Sequence, residues 1–313
     1  MSWPLIFWIA VLILFLLDLI RRIRQLPKER RARVAFREMS FIAAFYVFTM
    51  VLLMFLENKF IYFPTTSSKD WQEPTGLKAI DIWHAVTLHG KQEKVHSWWC
   101  PVEKSKGVVL YFHGNAGNLS HRHWAIVDWQ RQGYAVLIID YPGYGRSSGS
   151  PDEAGCYAAG QAAYDWLTKE QQYSPQQIVL YGKSLGAAIA VELAMQNPHQ
   201  ALVLFAPFTS IPDMAQKTLP FFPARYMVRT QFDNLSKLKR YEGHLIIGHG
   251  ETDSLVPMEM GKVLYALAKT NNKVWYAVPD TGHEAPPASF YAEVSKQLQR
   301  WQQKPSNVTK RGL

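Results

Sequence analysis

The strongest chemical signal in the chain is Gly182-Lys183-Ser184-Leu185-Gly186, a G-x-S-x-G pattern. It follows the β-branched run at 178–181 and opens the apolar helical stretch at 185–195. A strand-to-helix turn this sharp crowds the backbone, so larger side chains at either glycine would clash and the serine is lifted clear of the sheet. The pattern alone is weak, and the strand before and helix after give it meaning. A tight turn with an incidental serine is the plainer alternative. A serine hydroxyl is a poor nucleophile until a base removes its proton, and that base must be held in one tautomer. In such an architecture the acid and then the histidine follow the serine along the chain. Asp253 lies in the loop after the run at 244–248, and His283 in the loop after the run at 274–278. Both positions are carboxyl ends of late strands, from which they can reach Ser184. Asp280 competes as the acid but sits three residues before His283 on the same short loop. Of the other histidines, His89, His96 and His199 read as surface residues and His249 as packing beside Asp253. Lys183 reads as a solvated charge pointing away from the site.

A second cluster, His113-Gly114-Asn115-Ala116-Gly117-Asn118, comes directly after the run VVLYF. Small residues there let the main chain approach a substrate, so the N–H groups of Asn115 and Leu185 are the expected donors to an oxyanion. Each such donor is worth ~3 kcal/mol in a transition state. A phosphate-binding loop is the alternative, but no Lys-Ser/Thr follows at the required spacing.

The elements that must position these groups begin at Phe60. Short runs rich in β-branched and aromatic residues fall at 79–86, 108–112, 134–141, 178–181, 201–205, 244–248 and 274–278. Helical stretches fall between most of them, at 122–131, 153–170, 185–195, 258–268 and 289–302. This alternation predicts a single α/β domain over 60–303, a mainly parallel sheet covered by helices on both faces. Ligands in such sheets sit beyond the carboxyl ends of the strands. The segment 207–242 is longer than a simple crossover and predicts a lid. Its Phe208, Phe221, Phe222 and Tyr226 are candidates for substrate contact, and packing against the body is the equal alternative.

The first 59 residues read differently. Trp3 to Leu17 carries no charge, nor does Met39 to Leu56, and Arg21, Arg22, Arg24, Lys28, Arg30, Arg31, Arg33 and Arg37 lie between the runs. Each apolar stretch spans roughly 27 Å as a helix, enough for a thin hydrocarbon core. The expectation is therefore a two-helix membrane anchor with a basic loop at 21–38. A cleaved signal peptide would need a basic lead and a small-residue cleavage site, and neither is present. The positive-inside rule puts the basic loop in the cytoplasm and the large domain outside it, in the periplasm of an inner or plasma membrane. The same stretch explains the net charge of +9: its eight cations less Glu29 and Glu38 contribute +6, leaving +3 for the rest and no field suited to nucleic acid. With 48% hydrophobic residues the chain has ample core material, which excludes intrinsic disorder. Two cysteines, Cys100 and Cys156, make neither a disulfide scaffold nor a four-ligand zinc site. No repeat of 20–50 residues is visible. Residues 304–313 form a tail, and the N-x-S/T patterns at Asn118, Asn234 and Asn307 do not read as glycan sites.

Taken together, G-K-S-L-G, H-G-N-A-G-N, D-Y-P-G-Y-G-R-S-S-G from Asp140 and F-I-Y-F-P from Phe60 resemble the α/β-hydrolase superfamily. More narrowly, the chain is similar to its membrane-anchored H-G-N-A-G-N subgroup, whose relatives include acyl-protein thioesterases that depalmitoylate proteins. The resemblance runs from about Phe60 to Trp301. It implies a serine hydrolase with Ser184 as nucleophile, Asp253 as acid and His283 as base, and the loop from Asp140 to Gly149 as structural. A two-helix anchor departs from relatives with one helix or a lipidated tail. The expected chemistry is acyl transfer to water from an ester or thioester on a small molecule, lipid or protein, with no metal or cofactor. An amidase or aminopeptidase on the same residues is the alternative, and a non-catalytic membrane scaffold a more distant one.

Overall fold

The chain is described by a computed structural model covering residue 18 and residues 20–303. It forms two units that divide between Leu56 and Glu57. In the first, α1 (Lys28–Phe55) runs for 28 residues, about 42 Å at 1.5 Å per residue. Its apolar window has a mean hydropathy of 1.9, and none of its residues is buried. It is the one helix among the described residues long and apolar enough to cross a membrane. The expected first span, Trp3 to Leu17, lies outside the described residues, as does the tail 304–313.

The basic loop is corrected in part. Residues 28–38 are helical and continuous with the apolar run, and the chain breaks its helix only at Leu26 and Pro27. The physical reason is composition: Lys, Glu, Arg and Ala are good helix formers, and Pro27 sits where its missing N–H costs nothing.

The second unit begins with α2 (Glu57–Ile61) and a short strand β1 (Phe63–Pro64). The strands β2 (Ile80–Leu88), β3 (Lys91–Cys100), β4 (Val108–Phe112), β6 (Ala135–Ile139), β7 (Ile178–Lys183), β8 (Ala201–Phe205), β9 (Leu245–Gly250) and β10 (Lys273–Val278) make one eight-stranded sheet. Its order is β10-β9-β8-β7-β4-β6-β3-β2. Every pair from β10 to β6 is parallel, while β3 runs antiparallel to both β6 and β2. A separate parallel pair joins β1 to β5 (Ala116–Gly117).

Strand β3 is absent from the sequence-based expectation. Its first half, Lys-Gln-Glu-Lys, is exposed and poor in strand-favouring residues, so its packing partners, not its propensity, define it. The turn that makes it is a tight one: His89 and Gly90 both have positive φ, 48° and 77°, the two-residue connection that hairpins prefer.

Helices α3 (His123–Arg131) and α10 (Ala288–Gln303) cover one face of the sheet; α4 (Glu153–Asp165) and α5 (Leu185–Gln196) cover the other. The central strands are buried on both faces, which is why Ala-Val-Leu-Ile-Ile and Ala-Leu-Val-Leu-Phe show no alternation. Helix α9 (Met258–Leu267) follows β9. Between β8 and β9 the chain builds the short helices α6 (Ile211–Thr218), α7 (Ala224–Met227) and α8 (Asn234–Leu238) in place of one crossover helix. Pro220 and Pro223 lie between α6 and α7 and keep them from joining, since proline breaks a helix interior, while Pro212 sits in the first turn of α6, where it is tolerated.

Candidate active site

Strand β7 hands the chain to α5 through a single strained residue. Ser184 has φ 53° and ψ −117°, unusual for a residue with a side chain and worth about 1–3 kcal/mol of strain. The surroundings hold it there. The Ser184 N–H donates to the Phe205 carbonyl at 2.9 Å, and the Ser184 carbonyl accepts from the Ala187 N–H at 2.9 Å. A Cβ on Gly182 would lie 2.2 Å from the Gly186 carbonyl oxygen, and one on Gly186 would lie 2.0 Å from that of Phe112. Only glycine fits either place, so the pattern follows from contact, as expected of the turn.

Two loops at the carboxyl edge complete the arrangement. Asp253 follows β9 and His283 follows β10. Backbone bonds lock the loops together: Glu251 N–H to the Val278 carbonyl and Thr252 N–H to the Thr281 carbonyl, each at 3.0 Å. His283 Nδ1 lies 2.8 Å from Asp253 Oδ2, and its Nε2 lies 3.0 Å from Ser184 Oγ. Asp253 Oδ1 accepts from the N–H groups of Leu255 and Val256, both at 2.9 Å. Burial alone would push this carboxyl up. Hydrogen bonds from His249 and His283, with the Val256 N–H, outweigh burial and hold it well below the usual carboxylate range. An ionised Asp253 fixes the proton of His283 on Nδ1 and leaves Nε2 free to accept the serine proton. Asp280, the competing acid, is exposed and has no hydrogen bond to His283 among the described residues.

The loop after β4 crosses directly over the serine: a Cβ placed on Gly114 would lie 3.6 Å from Ser184 Cβ. Asn115 is held from three sides. Its carbonyl accepts from the Phe63 N–H at 3.0 Å and the Tyr144 hydroxyl at 2.8 Å, and its Nδ2 donates to the Ile61 carbonyl at 3.1 Å. Among the described residues no hydrogen bond engages the Asn115 N–H. Leu185 is the first residue of α5, where N–H groups have no intrahelical acceptor. Two main-chain donors therefore flank Ser184.

Asp140 supports this loop from below. Fully buried, its Oδ1 accepts from the Leu119 N–H at 2.8 Å and sits 3.1 Å from His113 Nε2. A Cβ at Gly145 would overlap the Asp140 carboxyl, so the Asp140 to Gly149 loop is shaped around it. The Tyr141 hydroxyl donates to the His113 carbonyl at 2.6 Å. The signal for these supports was the D-Y-P-G-Y-G run, which through the family resemblance implied a structural loop without saying what it holds.

Several expected surface groups lie inside. His96 is fully buried in β3, with Nε2 2.7 Å from Asp81 Oδ1 and its ring against Trp71 and Trp83. His199 is half-buried, bonded to the Asn197 carbonyl and the Tyr241 hydroxyl, each at 2.8 Å. His89 is exposed beside Asp152. His249 is buried next to Asp253, with Nε2 3.0 Å from the Val256 carbonyl. Lys183 is a further correction. It is half-buried, and burial, with the charge of Arg122, pushes its ammonium down to about 8 against the pull of Asp253 and Glu284. Position beside the nucleophile did not reveal this, because burial is set by segments far away in sequence.

Of the lid residues, Phe208 is buried in the core, Phe222 is half-buried, and Phe221 and Tyr226 are exposed. Cys100 and Cys156 are buried free thiols. Asn118 and Asn234 are fully buried and hydrogen-bonded, which leaves no room for a glycan. Among the described residues no group of three or more His, Cys, Asp or Glu side chains converges as a metal site.

Comparison with known proteins supports one family. A family described by the α/β-hydrolase fold matches residues 107–227. An α/β-hydrolase domain-containing protein of Arabidopsis thaliana is 30% identical over 246 residues, 71% of this chain and 79% of its own. A lysophosphatidylserine lipase of Danio rerio is 32% identical over 213 residues, 60% of this chain and 55% of the lipase. The chain thus spans about half the length of that relative. Among solved structures, an esterase of Pyrococcus furiosus is similar with a TM-score of 0.63 at 19% identity, over 77% of this chain and 98% of the esterase. That last likeness is one of fold.

Proposed function

We propose, from the premise that this chain belongs to the α/β-hydrolase family, that it is a membrane-anchored serine hydrolase of carboxylic esters or thioesters. The observation that carries this reading is the unbroken relay from Asp253 through His283 to Ser184, with contacts of 2.8 and 3.0 Å. The strained serine at its end adds support.

In this mechanism Ser184 Oγ attacks the acyl carbonyl as its proton passes to His283 Nε2. The N–H groups of Leu185 and Asn115 hold the developing oxyanion, each contributing ~3 kcal/mol. His283 then gives the proton to the leaving oxygen or sulfur, and the acyl-enzyme forms on Ser184. Water, deprotonated by the same imidazole, releases the acid. Asp253 stays ionised throughout and stabilises the imidazolium. No step calls for a metal or an organic cofactor.

The activity named for one relative, a lysophosphatidylserine lipase, favours oxygen esters of lipids. A thioester of a membrane-bound acyl protein uses the same chemistry, and a depalmitoylase role belongs to this proposal as its narrower form. Helix α1 serves as the anchor. Lys28, Arg30, Arg31, Arg33 and Arg37 crowd its first turns, so the positive-inside rule puts that end in the cytoplasm and the catalytic unit on the opposite side.

The test is labelling with a fluorophosphonate probe in membranes. Wild type labels, and Ser184→Ala, folded by its circular dichroism, does not and loses several decades of ester turnover. Undiminished labelling of the variant would remove Ser184 from the mechanism.

A further inference from the structure

Helix α1 ends at Phe55, and only four residues separate it from Phe60. Even a fully extended link of that length reaches about 18 Å, and the helical turn of α2 shortens it. Whatever surface α1 emerges from, the α2–β1 segment must stay beside it. That segment is unusually greasy for an exposed stretch: Phe60 is 59% exposed and Phe63 50%. Both rings gain by leaving water.

The same segment holds the lid. The Glu57 carboxylate accepts from the N–H groups of Arg229 and Thr230, at 3.1 and 2.7 Å, and Tyr62 packs edge-on against Phe232 at 6.5 Å. Tyr226 lies one turn before this latch and is 85% exposed, the most exposed large hydrophobic side chain among the described residues. The exposed charges near it are mostly cationic, whereas the acidic groups there are engaged: Glu57 and Glu153 hold backbone N–H groups of the segment 229–232. Lys59, Lys217, Arg225 and Arg229 are exposed, while Glu57 is spent on the latch and Asp213 is paired with Arg225. Aromatic rings interleaved with cations suit the headgroup level of an anionic bilayer, where rings bury and cations meet phosphates. Phe63 also pairs in register with Ala116 of the loop over Ser184, so this face borders the active-site mouth.

We infer that the face formed by Phe60, Phe63, Tyr226, Lys59 and Arg229 docks onto an anionic phospholipid surface and presents the mouth of the site to the bilayer. This rests on α1 being a membrane span, as proposed above, and not on the catalytic assignment. The consequence for chemistry is that acyl substrates are taken sideways from the lipid leaflet.

The test uses the full chain in nanodiscs of phosphatidylethanolamine and phosphatidylglycerol. Tyr226→Cys carries an environment-sensitive fluorophore, and Glu103→Cys, exposed in the turn before β4 at the other end of the sheet, is the control. Buried Cys100 and Cys156 leave the introduced thiol as the reactive one. The expected result is several-fold stronger quenching at 226 than at 103 by a lipid spin-labelled near its headgroup, with the reverse order for aqueous iodide. Equal iodide quenching at the two sites in a chain that resists alkaline carbonate extraction would overturn the docking and leave the anchor standing. Release by carbonate would overturn the anchor, and the docking with it.

Discussion

Replacing Asp253 by asparagine isolates what the acid does, because the surroundings dictate how the amide must turn. Asp253 Oδ1 accepts two backbone N–H groups, from Leu255 and Val256 at 2.9 Å. Only the amide oxygen can take that place, so the NH2 group occupies the position of Oδ2, 2.8 Å from His283 Nδ1. Two donors cannot face each other. His283 then carries its proton on Nε2 and presents a lone pair to the amide, which is the wrong tautomer for accepting from Ser184. The fold loses little, since both backbone N–H groups keep their acceptor. In serine proteases this tautomer error costs about 10⁴ in kcat, or roughly 5.5 kcal/mol at 1.36 kcal/mol per decade. The same loss is expected here for Asp253→Asn at neutral pH, read as turnover of a p-nitrophenyl acyl ester and as the rate of fluorophosphonate labelling. KM should change little, because the carboxylate is buried and does not touch substrate. Asp280→Asn should leave kcat near wild type. A folded Asp253→Asn that keeps kcat within tenfold of wild type would refute the orienting role.

Two further outcomes follow from the same neighbourhood. Ser184→Gly relieves the positive φ of the turn and should stabilise the folded unit by about 1 kcal/mol, a Tm rise of roughly 2–4 °C by calorimetry, while labelling vanishes. An unchanged or lower Tm would show that the turn stores no strain. Lys183 is held down to about 8 in the fold against 10.5 for a free lysine, so burying its charge costs stability below pH 8 and that cost fades as pH rises toward 10. Lys183→Met should therefore melt higher than wild type at pH 7, and the gap should narrow between pH 8 and 10. A gap that does not vary with pH would show that the lysine titrates normally.

The relation between sequence and structure differs from element to element. The turn at Ser184 was legible because its cause is local: two glycines at which any Cβ would overlap backbone a few residues or one strand away. The strands 108–112 and 201–205 were equally plain, since a short fully apolar run between helices has few other places to go. The order of acid and histidine came from the architecture that the serine turn implies, and the strand ends supplied the candidates. Strand β3 was missed because its polar half is stabilised only by pairing with β2, a partner the run itself does not encode. The basic stretch at 28–38 looked like a loop by charge, yet its residues favour a helix, and charge says nothing about backbone conformation.

Residue types and their spacing were enough to determine the α/β architecture, the serine turn, the apolar character of α1 and the loops that carry an acid and a base. Tertiary structure alone decided that Asp253 and not Asp280 meets His283, that His96 and Lys183 are withdrawn from water, and that Tyr226 is turned outward. The reason is physical. Backbone conformation and periodicity depend on neighbours a few bonds away, whereas burial, protonation and hydrogen-bond partners are set by chain segments that meet only after the sheet has closed.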